Sequence, residues 1–273
     1  MTIREEIDSI CKTRLGRLPN LENPSGYNDK IQWLKLFDQT EEHIAACDKF
    51  ACRELVAGIA GDAVLVPLLY EGPRYRMQKR FPHFAKCSHD SGSACRVDNP
   101  AQTTAVIARL NKYLAKPYGH GKGEWAYRLI APRRVLVEDA IPCRGIDYKF
   151  HCTDGEIRWV QVINERGAKG GPAETIYWPD GEVSKLHLDH QMRHVESDIA
   201  HPGDYAWASM SELAEMLAAG WRYVRVDLYW ANEQAYFGEL TFWPLAGCYK
   251  TKDEPTFGEM MPIDFSNPTT ILE

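Results

Sequence analysis

The chain has 273 residues, 44% of them hydrophobic, enough to bury a substantial core without the disulfide staples that a small domain needs. Its 38 acidic residues outnumber the 32 basic ones, and the formal net charge of −6 excludes the strong positive excess of a nucleic-acid surface. No apolar run reaches the roughly 18 residues of a transmembrane segment, and the charged start MTIREEIDSICKTRLG lacks a signal-peptide pattern, so the expectation is a cytoplasmic protein of one large domain or two packed lobes.

Residues 4 to 15 and 28 to 37 read as helices, the second carrying Ile31, Trp33, Leu34 and Phe37 after a break at Ser25-Gly26. A third helix is predicted over 49 to 60, where Phe50, Leu55, Val56 and Ile59 share a side and Gly61 supplies the stop. VLVPLLY at 64 to 70 predicts a strand, and runs at 83 to 87 and 94 to 97 predict a hairpin with a long polar tip. Val106, Ile107, Leu110 and Leu114 give 101 to 115 a helical period, and VLVEDAI, DYKFHC and IRWVQVI then read as strands. The stretch to about 205, rich in Gly, Asp and His, is expected to form irregular loops around a substrate. SELAEMLAAG at 211 to 220 reads as a helix started by Ser211 and stopped by Gly220. YVRVDLYW and AYFGELTFW follow as strands, and the segment from Pro244 is expected to wrap the surface.

The eight cysteines form no CxxC pair, which points to reduced thiols. Neither Cys87, His89 and Cys95 nor Cys143, His151 and Cys152 has strong zinc-ligand spacing, and His187 and His190, loosely spaced like ligands, read as surface histidines. The histidines of this stretch, His187, His190, His194 and His201, could orient a polar acceptor. No Ser-His-Asp or Cys-His spacing suggests a covalent nucleophile.

Lys86 stands directly before a polar, glycine-containing loop, 88 to 93. A fixed positive charge beside backbone N–H donors suits phosphate oxygens, although the loop lacks the GxxxxGK[ST] pattern and an ordinary surface hairpin is the alternative. Arg225 and Asp227 alternate on one predicted strand, Glu239 and Thr241 on the next, and period-two geometry points each pair to one face. If these strands pair, Asp227 and Glu239 can share hard divalent ions while Arg225 and Lys86 neutralise phosphate. The alternative is a wet sheet face with a surface ion pair.

Five pieces follow one another along the chain: DKFACRELV at 48 to 56, FAKCSHDSG at 84 to 92, VLVEDAI at 135 to 141, DYKF at 147 to 150, and RVDLYW followed by FGELTFWPLAG. Together they resemble the TupA-like, teichuronopeptide-biosynthesis-type ATP-grasp proteins from about Lys30 to Gly247. That resemblance implies an α+β ATP-grasp fold whose two lobes enclose a nucleotide. The divisions it implies are a short helical N-terminal region (1–47), a first lobe with the phosphate loop (48–134), a second lobe with the metal site (135–250) and a surface tail (251–273).

The resemblance also implies ATP and Mg2+. Lys49 and Lys86 correspond to the two nucleotide lysines, Ser88, His89, Ser91 and Gly92 to the phosphate loop, and Glu138 with Asp139, Ala140 and Ile141 to the adenine hinge. Asp147 is implied toward ribose and Lys149 toward phosphate or acceptor. Arg225, Asp227 and Glu239 match the phosphate and magnesium end, where Thr241 replaces a common asparagine. His89-Asp90 also departs from the asparagine, histidine and glycine favoured by relatives in the loop.

Arg166 and Lys169 are candidates for contacting an acidic acceptor or closing over an acyl phosphate. The short stretch before Lys49 implies an acceptor site that is abbreviated or completed by a partner, either a second copy or a biosynthetic protein. The implied activity is ATP-dependent carboxylate–amine ligation on a small-molecule, glycan or peptide acceptor, in surface-polymer or peptide-containing metabolite biosynthesis. A hydroxyl-phosphorylating ATP-grasp kinase and an inactive nucleotide-binding assembly protein are the alternatives.

Overall fold

The computed structural model describes residues 1–164, 169–197 and 200–272. Helix α1 (Ile3–Leu15) opens with a capping box: the Thr2 hydroxyl accepts the Glu5 N–H, and the Glu5 carboxylate accepts the Thr2 N–H. It is followed by α2 (Tyr27–Phe37), α3 (Glu41–Cys47), α4 (Ala51–Ala60), β1 (Leu68–Gly72), β2 (His83–Cys87), β3 (Cys95–Val97), α5 (Thr103–Ala115), α6 (Trp125–Leu129) and β4 (Val135–Asp139). Then come β5 (Asp147–Thr153), β6 (Glu156–Asn164), β7 (Ala173–Tyr177), β8 (Val183–Ser184), β9 (Arg193–His194), α7 (Asp204–Ala218), β10 (Val224–Ala231), β11 (Gln234–Thr241) and α8 (Glu254–Glu259).

Helices α3 and α6 have no counterpart in the sequence reading, and further elements differ from it. The strand expected from residue 64 begins at Leu68, because Asp62–Val64 forms a 3-10 turn behind Gly61. The stretch expected to be irregular contains β7, every residue of which is buried, together with the short β8 and β9. Helix α7 starts at Asp204, well before Ser211, because Trp207 and Met210 extend the buried stripe of Leu213, Ala214 and Leu217. The expected surface tail contains α8, whose Phe257 is fully buried.

The chain divides into two compact units. One comprises Glu41–His120 and Glu124–Ile141. Its four-stranded antiparallel sheet runs β1-β4-β2-β3, and β4 pairs on both sides, so Val135–Asp139 is integral to this unit. Val106 and Leu110 of α5 bury its apolar face against Ala85, Cys87, Val97, Val135 and Val137. Those inward positions alternate along β2 and β4, as strand geometry requires.

The other unit comprises Met1–Thr40, Gly121–Gly123 and Pro142–Glu273. Its seven-stranded sheet runs β11-β10-β5-β6-β7-β8, with β9 added in parallel to β7. Phe150 faces Trp207 of α7 on one side, with ring centroids 6.0 Å apart. Its neighbours Lys149 and His151 therefore point to the opposite face. There His151 Nδ1 and the Tyr27 hydroxyl each lie 2.9 Å from the Tyr223 hydroxyl, in an aromatic cluster with Trp159 and Tyr249. Helices α2 and α8 meet so closely that a side chain at Gly258 would place its Cβ 2.2 Å from the Ser25 carbonyl oxygen.

Candidate active site

In the smaller unit, the site residues lie at the ends of β2 and β4 and at the start of α4. Lys49 donates its backbone N–H to Ser88 O at 3.0 Å and its ammonium to Asp90 O at 2.6 Å. The expected nucleotide lysine thus sits against the expected phosphate loop. Lys86 Nζ lies 2.6 Å from Glu138 Oε2, diagonally across from it on β4, while Arg53 NH1 holds Oε1 at 3.0 Å. Arg53 also donates to Val66 O at 2.9 Å. Glu138, expected at the hinge, therefore has its carboxylate engaged by two cations, and the N–H of Asp139 that follows donates to Pro67 O at 2.9 Å. Ala140 N–H donates to Asp139 Oδ1 at 3.1 Å, and Asp139 also pairs with Arg80 at 2.6 Å.

The loop is held from beneath. Ser93 Oγ accepts the Cys87 N–H at 2.8 Å and donates to Asp90 Oδ1 at 2.5 Å, while Arg109 donates to the carbonyls of Ser93 and Gly92. Ser88 and His89 are fully buried, the former accepting from Arg134 N and the latter adjoining Lys116 O through Nε2 at 3.2 Å. Their side chains thus support the loop, whereas Ser91 and Gly92 are exposed at its tip, and Gly92 holds a left-handed φ of 104°. Burial pushes the Cys87 thiol up to about 12, so it carries no thiolate at neutral pH.

In the larger unit, β5, β10 and β11 bring the other expected residues together. Asp227 is the register partner of Lys149 on one side and of Glu239 on the other. Two carboxylates directly opposite each other repel unless cations intervene, and here two do. Arg225 clamps Asp227 with Nε to Oδ1 at 2.6 Å and NH2 to Oδ2 at 2.7 Å, and Lys149 donates to Oδ2. Arg225 NH2 also reaches Thr241 Oγ1 at 3.1 Å and lies 3.6 Å from Glu239 Oε1.

Burial alone would raise the Asp227 carboxyl, but Arg225 and Lys149 outweigh it and hold the group below the usual carboxylate range. Burial, reinforced by Arg225, lowers the Lys149 ammonium. Asp147 starts β5 opposite Ile163. Lys169 is exposed, and Arg166 lies outside the described residues.

The donor set fits a hard divalent cation: Asp227, Glu239 and Thr241 present oxygen on one side of neighbouring strands. Glu239 is accessible, with a side chain 34% exposed, and Thr241 is half-buried, whereas Asp227 is buried. Asp227 has both oxygens engaged by cations, which supply the charge compensation that a metal would otherwise provide.

The sequence reading missed Arg53, Ser93 and Arg109 as working parts. Arg53 follows Lys49 by one helical turn, a signal already present in DKFACRELV. Arg109 carries no such signal, since only the tertiary placement of α5 brings it to the loop.

Solved structures similar to this chain include a D-alanine–D-alanine ligase from Bacillus anthracis complexed with ATP, at 13% identity and a TM-score of 0.48, covering 92% of this chain and 70% of that one. The corresponding ligase from Helicobacter pylori gives 14% identity, a TM-score of 0.48, and coverage of 86% and 68%. An L-amino acid ligase from Bacillus licheniformis gives 11% identity, a TM-score of 0.43, and coverage of 85% and 47%. No curated protein matches the chain. The family model for TupA-like ATP-grasp proteins matches residues 29–261, and the chain therefore belongs to that family, as an ATP-grasp enzyme of α+β fold.

Proposed function

We propose that this protein is an ADP-forming ligase that joins a carboxylate to an amine through an acyl phosphate. The proposed setting is assembly of a surface polymer or of a peptide-containing metabolite, with a small-molecule, glycan or peptide acceptor. The observation that carries this reading is the buried group of Lys149, Asp227 and Arg225 with Glu239 and Thr241 beside it. Such a group sets fixed cations and hard oxygen donors side by side, the combination that phosphoryl transfer requires.

In this reading Lys49, Lys86 and the exposed tip of the 88–93 loop take the phosphates. The backbone of Asp139, Ala140 and Ile141 takes the adenine edge, and Asp147 the ribose. Arg225 and Lys149 neutralise charge growing on the transferred group, while Arg166 and Lys169 belong to the acceptor side. Asp227, Glu239 and Thr241 would hold magnesium, which when bound supplies charge neutralisation between neighbouring phosphate oxygens.

A carboxylate oxygen bonds to the γ-phosphorus as the bond to the bridging oxygen breaks and ADP leaves. The amine nitrogen then bonds to the acyl carbon, the carbon–oxygen bond to phosphate breaks, and the nitrogen loses a proton. Neither step needs a side-chain nucleophile, which suits a loop whose cysteine is held as a thiol.

The test incubates the protein with ATP, magnesium and pooled amino acids, short acidic peptides and amino sugars, following nucleotides and acceptor masses. ADP with a product equal to two acceptors less one water supports ligation. ADP with a phosphorylated acceptor would replace this reading with a hydroxyl kinase. A nucleotide-dependent melting shift with no ADP formed would replace it with a binding role in an assembly.

A further inference from the structure

Away from the proposed nucleotide site, β7 carries a second cluster of ligating side chains. Glu174 is fully buried, and His194 of β9 is its direct register partner in the parallel pair β7/β9, so the two side chains rise from adjacent positions of one sheet. His187, from the segment between β8 and β9, stacks on His194 with ring centroids 4.8 Å apart, and its Nε2 lies 3.5 Å from Glu174 Oε2. One ligand atom from each of the three residues falls within 4.8 Å of the others.

Two features separate this cluster from chance proximity. The carboxylate is built in: Glu174 Oε1 accepts from Gln161 Nε2 at 2.5 Å and Asp189 N at 3.0 Å, and Oε2 accepts from Leu188 N at 2.8 Å. Outer partners of this kind orient ligands in metal sites. The second feature is His194, whose two ring nitrogens are buried and make no hydrogen bond among the described residues. Its Nε2 has a loose electrostatic neighbour, Glu196 Oε1 at 3.5 Å. Buried ring nitrogens without a partner forfeit hydrogen bonding, a loss that an electrophile between His194 and Glu174 would remove.

We propose that Glu174, His187 and His194 form a binding site for a borderline transition-metal ion of the Zn2+ class, tying the segment between β8 and β9 to the edge of the sheet. Two imidazoles with one carboxylate suit Zn2+ and leave a coordination position open, whereas Mg2+ and Ca2+ prefer oxygen alone. His187 Nε2 also lies 2.9 Å from Asp189 O, a hydrogen bond that the imidazole exchanges for the metal when that nitrogen coordinates. Tetrahedral zinc places its ligand atoms about 3.4 Å apart, so the site closes by small side-chain rotations of the two histidines. His190, which the sequence spacing pairs with His187, stands outside the cluster, its Nδ1 accepting the Lys250 N–H.

The test uses tag-free full-length protein freed of metal with a chelator, titrated with Zn2+ and, separately, Co2+. One Zn2+ per chain is expected, with a zinc-dependent rise in melting temperature and a visible Co2+ spectrum of histidine ligation. His194→Ala and His187→Ala should each weaken Zn2+ binding by more than the roughly 10- to 100-fold typical of losing an outer partner, and abolish the melting shift. Absence of stoichiometric Zn2+ and of the Co2+ spectrum in the unaltered chain would overturn the proposal. So would undiminished binding in both variants. These readouts do not depend on ATP turnover and stand or fall separately from the ligase assignment.

Discussion

At the scale of single residues, Asp227 has the clearest consequences. It neutralises two cations that are themselves buried, and removing one partner of a buried ionic group leaves the others uncompensated. Asp227→Asn is expected to destabilise the protein by about 3–5 kcal/mol, read as a fall in melting temperature, and to remove magnesium-dependent turnover. Because the native pKa of Asp227 lies below its unfolded value, this contribution is complete above about pH 4 and is lost as the pH falls through the native pKa. Lys86→Ala should spare most of the stability and lower kcat/KM for ATP by about 100-fold, measured as ADP release. That Asp227 and Glu239 share one face of paired strands was legible in the sequence, because the period of two fixes their direction. The double engagement of Glu138 was not, since Arg53 and Lys86 come from different elements.

At the scale of elements, the loop after β2 owes its shape to the clasp of Asp90, Ser93 and Arg109. Ser93→Ala leaves the buried Cys87 N–H and Asp90 Oδ1 without their partner, at a cost of about 1–3 kcal/mol. The expected outcome is a raised KM for ATP with a smaller change in kcat, and faster hydrogen exchange at Cys87. The long regular elements were legible because their apolar periods are strong: α1, α2, α5 and the strands β4 to β6 lie close to where the spacing puts them. Elements β7 to β9 were not, because β7 is short and buried throughout, so it lacks the alternation of a half-buried strand. Ser211 misled in the opposite way: a good capping residue fell inside a helix whose packing stripe begins earlier.

At the scale of the whole chain, the stability of each unit depends on groups that sequence spacing cannot reveal. Lys35 is completely buried, and its ammonium donates to Gln32 Oε1 at 2.9 Å and to the carbonyls of Lys122 and Ala246 at 2.8 Å each, uniting three distant stretches of the larger unit. Lys35→Met should cost about 1–3 kcal/mol, because it strips a donor from buried acceptors; a melting temperature unchanged from wild type would refute that role. Burial lowers His43 to about 4, and burial also holds His151 well below its ordinary range. The unfolded chain therefore binds protons that the native chain excludes between about pH 6.5 and 4, so stability falls as pH drops through that window. His43→Phe should flatten this slope in a series of thermal melts.

The family and the ATP-grasp fold were legible because five short pieces keep their order along the chain, whereas the acceptor leaves no comparable mark. The most direct measurement of the proposed chemistry therefore follows an atom rather than a named substrate. The acceptor pool is labelled with 18O in its carboxyl groups and turned over with unlabelled ATP and magnesium, and the inorganic phosphate released is analysed by mass. Acyl-phosphate ligation predicts one carboxyl 18O in each phosphate formed with product, whereas phosphate free of label alongside product would contradict it.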